Sequence, residues 1–253
     1  MGRPARRAVR ELVPSLKNEE RIDLAIANAE NAAGGMGVDV KSAGELFAAG
    51  VHVLTSGNHI WKKKEIFSYL DTQPNLIRPA NYPEGAPGRG WCEWRNSSGL
   101  SALVINIQGR VFMPSHVDDP FRCADAILRE HSRHSPIVIV DMHAEATSEK
   151  NAMGWYLDGR ASAVVGTHTH VPTADTRILP GGTAYVTDVG MVGPSRSVIG
   201  VEIDAVIARF LTQMPHALPV AQDGSVQFNS VLVELDKTTG MPKSIQRVDR
   251  EWE

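Results

Sequence analysis

The stretch that most constrains the fold runs from Ala163 to His170. It is a short apolar segment that reaches Gly166 and then presents two histidines one residue apart, His168 and His170. If the segment is a strand, alternate side chains point to one face, so both imidazoles would reach a common point just past its end. Imidazole is a common metal ligand. A His-x-His pair also arises by chance, so this motif alone leaves a metal site and a structural role equally open.

Length and composition predict one domain covering residues 1–253. The chain has 253 residues, 42% of them hydrophobic and 22% charged, which is enough to bury one large core. Its net charge of -3 gives no chain-wide basic field that would gather nucleic acid. Cys92 and Cys123 are too few for a disulfide framework. No apolar run approaches the ~20 residues of a membrane span and no signal peptide is present, so we expect a cytoplasmic protein without a membrane contact.

Predicted strands alternate with predicted helices along the chain. The β-branched run Pro136–Asp141 is typical of a strand buried on both faces, and Asp39 is typical of a helix cap. The alternating stretches Ser225–Leu235 and Lys243–Val248 flank a turn and predict a closing antiparallel hairpin. Together these patterns favour a layered α/β architecture.

Four predicted strands end in residues that commonly bind metals or phosphate. In open α/β sheets such strand ends lie along one edge, where side chains converge. Carboxylate, amide and imidazole ligands together suit one or two open-sided divalent metals such as Mn, Fe, Co, Ni or Zn, and hydrolysis, better than a closed structural zinc site. Each residue alone also fits a turn or core role, but their shared position favours a site. The residues are Glu30, Asn31, Asn58, His59, His143, His168 and His170.

The motifs around these residues resemble those of calcineurin-like metallophosphoesterases and, more narrowly, of their bacterial YmdB-like branch. The resemblance covers essentially the whole chain. It implies a layered β-sandwich flanked by helices, a centre of two divalent metals with Fe, Mn or Zn expected, and hydrolysis of phosphodiesters by a metal-activated water. A small phosphodiester such as a 2′,3′-cyclic nucleotide is the candidate substrate. The motifs are Ala-Glu30-Asn31-Ala-Ala, Ser-Gly-Asn58-His59-Ile-Trp61, Arg-Pro-Ala-Asn81-Tyr-Pro, Asp-Met-His143-Ala-Glu, Gly-Thr-His168-Thr-His170 and Asp188-Val-Gly-Met.

The resemblance also implies a role for each site residue. Glu30 would bridge the two metals, and His170 would bind one of them. The ligands of the other metal would be Asn58, His143 and His168. His59 would not bind metal but would face the scissile phosphate, as a general acid or as a donor to the developing charge. Asn31 would lie within reach of the substrate.

The chain departs from the family pattern in two places. Ala29 stands where the family usually has glycine before the bridging glutamate. The family also begins with a strand ending in Gly-Asp, whose aspartate binds the same metal as His170, and Met1 aligns just after that motif. We therefore expect this strand and ligand to be missing ahead of Met1, with a single metal as the alternative occupancy.

Two alternatives from other classes remain open at the level of sequence. The absent aspartate is compatible with a non-catalytic or weakly active regulatory or scaffold form of the fold. An amidohydrolase-type metalloenzyme also binds metal through a His-x-His pair, but there the pair normally comes near the start of the chain. A homo-oligomer is compatible with either function.

Overall fold

The computed structural model describes residues 1–132 and 135–253, and its helices and strands alternate as the sequence pattern predicts. The helices are α1 (Gly2–Glu19), α2 (Val40–Ala48), α3 (Ile66–Thr72), α4 (Pro120–His131), α5 (Thr147–Tyr156) and α6 (Ile203–Thr212), with a 3₁₀ turn at Ile60–Lys62. The strands are β1 (Ile26–Asn28), β2 (Val53–Thr55), β3 (Trp91–Arg95), β4 (Ser101–Gln108), β5 (Ile137–His143), β6 (Ala163–Thr167), β7 (Arg177–Ile178), β8 (Ala184–Val186), β9 (Val192–Pro194), β10 (Val226–Phe228), β11 (Val231–Leu235), β12 (Pro242–Arg247) and β13 (Arg250–Trp252).

The largest sheet has six strands in the order β3-β4-β5-β6-β8-β7. Its four inner strands run parallel, and the edge strands β3 and β7 are antiparallel to their neighbours. The residues of β4 and β5 are almost all buried, as expected for central strands covered on both faces. The register pairs Gln108 with His143 and His143 with Thr167. The carboxyl ends of β4, β5 and β6 therefore form one aligned row.

A second sheet layer covers one face of the large sheet. It contains β1 and β2, which pair in parallel and align Asn28 with Thr55 at their carboxyl ends. Side chains of β1 and β2, such as Ile26 and Val53, join one hydrophobic cluster with Val104 of the large sheet. Helices α4 and α5 contribute to a cluster with the strands of the large sheet, and α1 and α2 to a cluster with β2. The predicted layered α/β sandwich flanked by helices is confirmed.

Several predicted elements are placed with shifted bounds. The sequence pattern over 61–70 predicts one helix, but the structure divides this stretch into a 3₁₀ turn and α3, because the backbone at Lys63 is extended. Asp39 caps α2 as predicted, since its side chain accepts a hydrogen bond from the Ser42 amide. The predicted closing hairpin is formed by β11 and β12, whereas β10 pairs with β9 and β13 instead. Within the described ranges, no helix is long and apolar enough to cross a membrane.

A large groove opens between β1 and β11. In the part of the chain that the structure describes, β1 pairs only with β2, and β11 pairs only with β12. Both strands line a cavity of about 880 Å³, together with apolar side chains of the large sheet such as Val104 and Ile139. Its polar end includes Asn28 and His143. An extended segment lying in this groove would meet strand edges on both sides.

Candidate active site

The predicted strand ends meet at the imidazole of His143, the last residue of β5. The Nε2 atom of His143 lies 3.1 Å from Glu30 Oε2, 3.2 Å from Asn58 Oδ1 and 3.1 Å from His168 Nδ1. Glu30 and His143 are almost fully buried, with 2% and 1% of their surfaces exposed. Donor atoms of Glu30, His143 and His168 all lie within 4.8 Å of one another. This spacing is compatible with a single metal ion bound between them.

A glycine permits the close approach that builds this cluster. Gly57 precedes Asn58 in the loop after β2, and a Cβ atom at Gly57 would lie 2.1 Å from His143 Nε2. Only a residue without a side chain therefore lets this loop pass so close to the His143 ring. The loop is also anchored to Glu30, whose Oε1 accepts a hydrogen bond of 2.9 Å from the backbone amide of His59.

The charges within the cluster suit a cation. Burial alone would raise the pKa of Glu30, but the charge and hydrogen bond of His143 outweigh it and lower this pKa to about 2. Glu30 is therefore a carboxylate. Burial and then the neighbouring charge of His143 lower the pKa of His168 to about 4, so this imidazole is neutral near pH 7. Burial would lower the pKa of His143, but the Glu30 carboxylate outweighs this effect and raises it, so a metal ion bound here would replace the proton that His143 carries beside Glu30.

The two histidines of the His-x-His pair diverge. Strand β6 ends at Thr167, and the histidines follow in left-handed backbone conformations, with φ of 102° at His168 and 68° at His170. His168 contacts His143, whereas His170 contacts Asn31. The prediction that strand alternation brings both imidazoles to one point was wrong, because both residues lie beyond the strand. Left-handed backbone at two non-glycine residues is strained and typical of functional sites.

Asn31 connects His59 to His170. Its Oδ1 lies 2.9 Å from His59 Nδ1, and its Nδ2 lies 3.1 Å from His170 Nε2. The Nδ1 atom of His170 lies 2.9 Å from the carbonyl oxygen of Ile199 and donates to it, which leaves Nε2 as the acceptor. His59, Asn31 and His170 thus form a second group of polar side chains beside the Glu30 cluster.

The structure adds supporting residues that the sequence reasoning missed or left without a role. His143 Nδ1 lies 2.9 Å from Thr167 Oγ1, and this hydroxyl donates to Asp141 Oδ1 at 2.7 Å. The sequence held a signal for Asp141, because it precedes His143 by two residues and so shares its face of β5. The carboxylate of Glu145, two residues after His143, lies 3.1 Å from His168 Nε2. These contacts fix the rings of His143 and His168, so that Nε2 of His143 and Nδ1 of His168 face the cluster.

The fold and the cluster define a metallophosphoesterase, an enzyme class with a metal centre at the strand ends of a two-layer β-sandwich. The comparison with family models agrees, since the model described as "YmdB-like protein" matches residues 1–248. The chain belongs to this family, so the predicted resemblance is confirmed. Membership implies divalent metal binding, and Glu30, His143 and His168 form the candidate ligand cluster. Nothing in the comparisons favours the non-catalytic alternative, and family membership excludes the amidohydrolase alternative.

Relatives match over nearly the full length. A protein of Bacillus subtilis (strain 168), named 2′,3′-cyclic-nucleotide 2′-phosphodiesterase, is 48% identical over 248 residues, covering 98% of this chain and 93% of its own. The crystal structure of a hypothetical protein from Thermus thermophilus is 45% identical, with a TM-score of 0.93 and coverage of 100% and 96%. A crystal structure described as a novel phosphatase from Mycoplasma pneumoniae is 33% identical, with a TM-score of 0.92 and coverage of 100% and 90%.

We predict that His168→Ala and His170→Ala leave different metals behind, because the two imidazoles contact different groups in the site. Elemental analysis of both variants, beside the unaltered protein, measures the metal that remains. We expect His168→Ala to lose the metal ion at the Glu30 cluster. We expect His170→Ala to lose a metal ion bound beside His59, Asn31 and His170. Full metal retention in both variants would contradict a metal site at these residues.

Proposed function

We propose that this protein is a metal-dependent phosphodiesterase of small phosphodiesters, with 2′,3′-cyclic nucleotides as the first candidates. The observation that carries the proposal is the convergence of Glu30, Asn58 and His168 on Nε2 of His143. The name of the Bacillus subtilis relative supports the substrate, because 48% identity extends over almost the whole of both chains. A small nucleotide also needs no chain-wide basic surface, which agrees with the net charge of -3.

The donor set supports a centre of two divalent ions, with Fe, Mn or Zn as the expected identities. Glu30, Asn58, His143 and His168 would hold one ion, and His170 would bind the other, with Glu30 shared between them. The fit rests on the low pKa of the Glu30 carboxylate and the neutral His168 imidazole. Bound cations would lower the pKa of a water molecule and neutralise phosphoryl oxygens.

In this proposal His59 would act on the substrate and not on the metal. Its Nδ1 faces Asn31 Oδ1, and its backbone amide is held by Glu30. The hydrogen bond to Asn31 fixes the ring and commits Nδ1, so Nε2 is the atom available to the substrate. As water adds to phosphorus and the bond to the leaving oxygen breaks, the imidazolium form of His59 would pass its Nε2 proton to that oxygen or donate a hydrogen bond from Nε2 to the developing charge, and the neutral ring would keep its proton on Nδ1 toward Asn31. Asn31 would thereby position His59 as well as contact the substrate.

We predict that His59→Ala retains metal content and fold but lowers turnover by ~10²-fold or more, the typical cost of removing a positioned acid. The measurements are steady-state hydrolysis of 2′,3′-cyclic AMP, elemental analysis and thermal melting. His216→Ala is a matched control, because His216 is an exposed histidine that bonds to Thr212 after α6. If metal content falls together with turnover, His59 is a ligand and the assigned role is wrong.

Unreactive cysteines support a cytoplasmic location, which we also propose. Cys92 and Cys123 are both free thiols. Burial raises the pKa of the Cys92 thiol to about 12 and that of Cys123 to about 11. Neither is therefore a thiolate near pH 7, and free, inert thiols are typical of proteins in a reducing compartment.

We further propose that a second copy of the protein packs against α6. None of the residues of α6 is buried, although its exposed face is apolar. Ile203, Ile207, Phe210 and Leu211 recur at helical spacing and form one stripe of α6, and Met214 follows the end of the helix. Ile199 and Leu218, near α6 in sequence, are also exposed. The exposed fractions are 36% for Ile203, 48% for Ile207, 73% for Phe210, 80% for Leu211 and 61% for Met214.

The charges on α6 favour a second copy over a membrane surface. Helices that lie on membranes carry rows of Lys and Arg on their polar face. In α6, Arg209 is the single basic residue, and Asp204 offsets its charge. A stripe with charges depleted at its centre is typical of the core of a protein interface.

We predict that the protein sediments as a dimer of its 27.5 kDa chain and that Phe210→Glu with Leu211→Glu makes it a monomer, because two charges would be buried in the contact. Analytical ultracentrifugation over a range of concentrations measures this. Trp155→Glu is the control, since Trp155 is 54% exposed on α5, away from the stripe. A monomeric unaltered protein would reject this interface.

A further inference from the structure

The loop between β4 and α4, residues 109–116, starts beside the site and carries an unusually exposed phenylalanine. The Gly109 amide donates a hydrogen bond of 3.0 Å to the carbonyl oxygen of His143. Phe112 follows three residues later and is 86% exposed, the highest value among the large apolar side chains in the described residues. Its backbone is left-handed, with φ of 61°. An apolar ring in water on strained backbone needs an explanation other than packing.

The loop is fixed, so the exposure of Phe112 is a property of a defined conformation. The carboxylate of Glu149, only 8% exposed, accepts hydrogen bonds from the Arg110 amide at 2.9 and 3.1 Å and from the Val111 amide at 3.2 Å. The Met113 amide donates back to the Arg110 carbonyl oxygen, which closes a turn around Phe112. The backbone on both sides of Phe112 is thus held while its ring faces solvent.

The far end of the loop is tied to the face that carries the site. The Tyr82 hydroxyl lies 3.3 Å from Ser115 Oγ and 3.4 Å from Gln108 Oε1. Gln108 is the register partner of His143, so their side chains share one face of the sheet. The Tyr82 ring also packs edge-on against Trp61, two residues after His59, with 5.4 Å between ring centroids. The Ser115 end of the loop is therefore tied to the same face of the sheet as the candidate site.

The length of chain between Gly109 and Phe112 limits how far Phe112 can lie from the backbone of His143. Three residues beyond Gly109 span at most about 11 Å, at ~3.3–3.6 Å per residue. That reach is of the order of the separation between the phosphate and the base of a nucleotide. A base whose phosphate lies at the His143 cluster would thus come within range of the Phe112 ring. Base–aromatic stacking is strong and tolerates any base, because every base has a flat π-face.

We propose that Phe112 binds the nucleobase of the substrate by stacking, so that the site takes nucleoside cyclic phosphates in preference to cyclic phosphates without a base. This inference rests on the proposed phosphodiesterase function. The rigid turn presents the ring in advance, which lowers the entropic cost of binding. The stack forms far from the reacting phosphorus and equally in ground and transition states, so its loss raises KM and leaves kcat almost unchanged.

The test compares Phe112→Ala and Phe112→Trp on two substrates, 2′,3′-cyclic AMP and glycerol 1,2-cyclic phosphate, which has no base. Phe112→Ala should raise KM for the nucleotide about tenfold or more, the loss expected from one stack, with kcat and the glycerol substrate unaffected. Phe112→Trp should restore the nucleotide KM. Val111→Ala, in the same loop and 43% exposed, is the control and should leave both substrates unchanged.

The outcomes separate this inference from the proposed function. Equal losses on both substrates, or no loss on either, would overturn the stacking role. If the unaltered protein hydrolyses neither substrate, the proposed function fails, and calorimetric titration with adenosine 3′-monophosphate and with inorganic phosphate still decides the inference. Weaker binding of the nucleotide alone to Phe112→Ala would support stacking, and unchanged binding of both would reject it.

Discussion

The buried contact between Glu30 and His143 is the interaction on which the rest of the site depends. A carboxylate with 2% of its surface exposed is costly to bury unless charged or polar partners surround it. His143 and the His59 amide supply those partners. They come from separate strand ends, so the cluster forms only when the two sheet layers are stacked in register. The same requirement explains Gly57, where any side chain would collide with the His143 ring.

Hydrogen bonds behind the site decide which nitrogen of each histidine is available. Each of the three candidate ligand histidines has one ring nitrogen in contact with another part of the protein, and its other nitrogen faces the polar cluster or Asn31. The partners are Thr167 for His143, Glu145 for His168 and the carbonyl oxygen of Ile199 for His170. Such contacts fix ring orientation before any ion binds, so less order must be created on binding. The contacts with Thr167, Glu145 and Ile199 therefore hold the three imidazoles in place in advance of binding.

The sequence predicted which residues form the site better than it predicted the backbone path and the supporting contacts that hold them. The rule that parallel strand ends share an edge was enough to bring Glu30, Asn58, His143 and His168 together, because each follows a clear strand signal. The path of the chain after Thr167 was not predictable, since period-2 reasoning ends where the strand ends. Partners such as Asp141 and Ile199 depend on tertiary packing, which single-sequence patterns do not carry. For the same reason the division of the expected helix over 61–70 was missed.

The strained backbone at His168 and His170 lies where the site needs a side chain, so glycine cannot replace either residue. His168 and His170 each adopt a left-handed conformation that costs a non-glycine residue about 1–3 kcal/mol. Thr169 between them donates to Asp188 from its amide and its hydroxyl, at 3.1 and 2.8 Å, and Asp188 is in turn paired with buried Lys150 at 2.7 Å. Charged hydrogen bonds in a dry environment are strong enough to offset such strain. The buried Lys150–Asp188 pair therefore helps to orient the two imidazoles by holding Thr169, although neither residue of the pair contacts them.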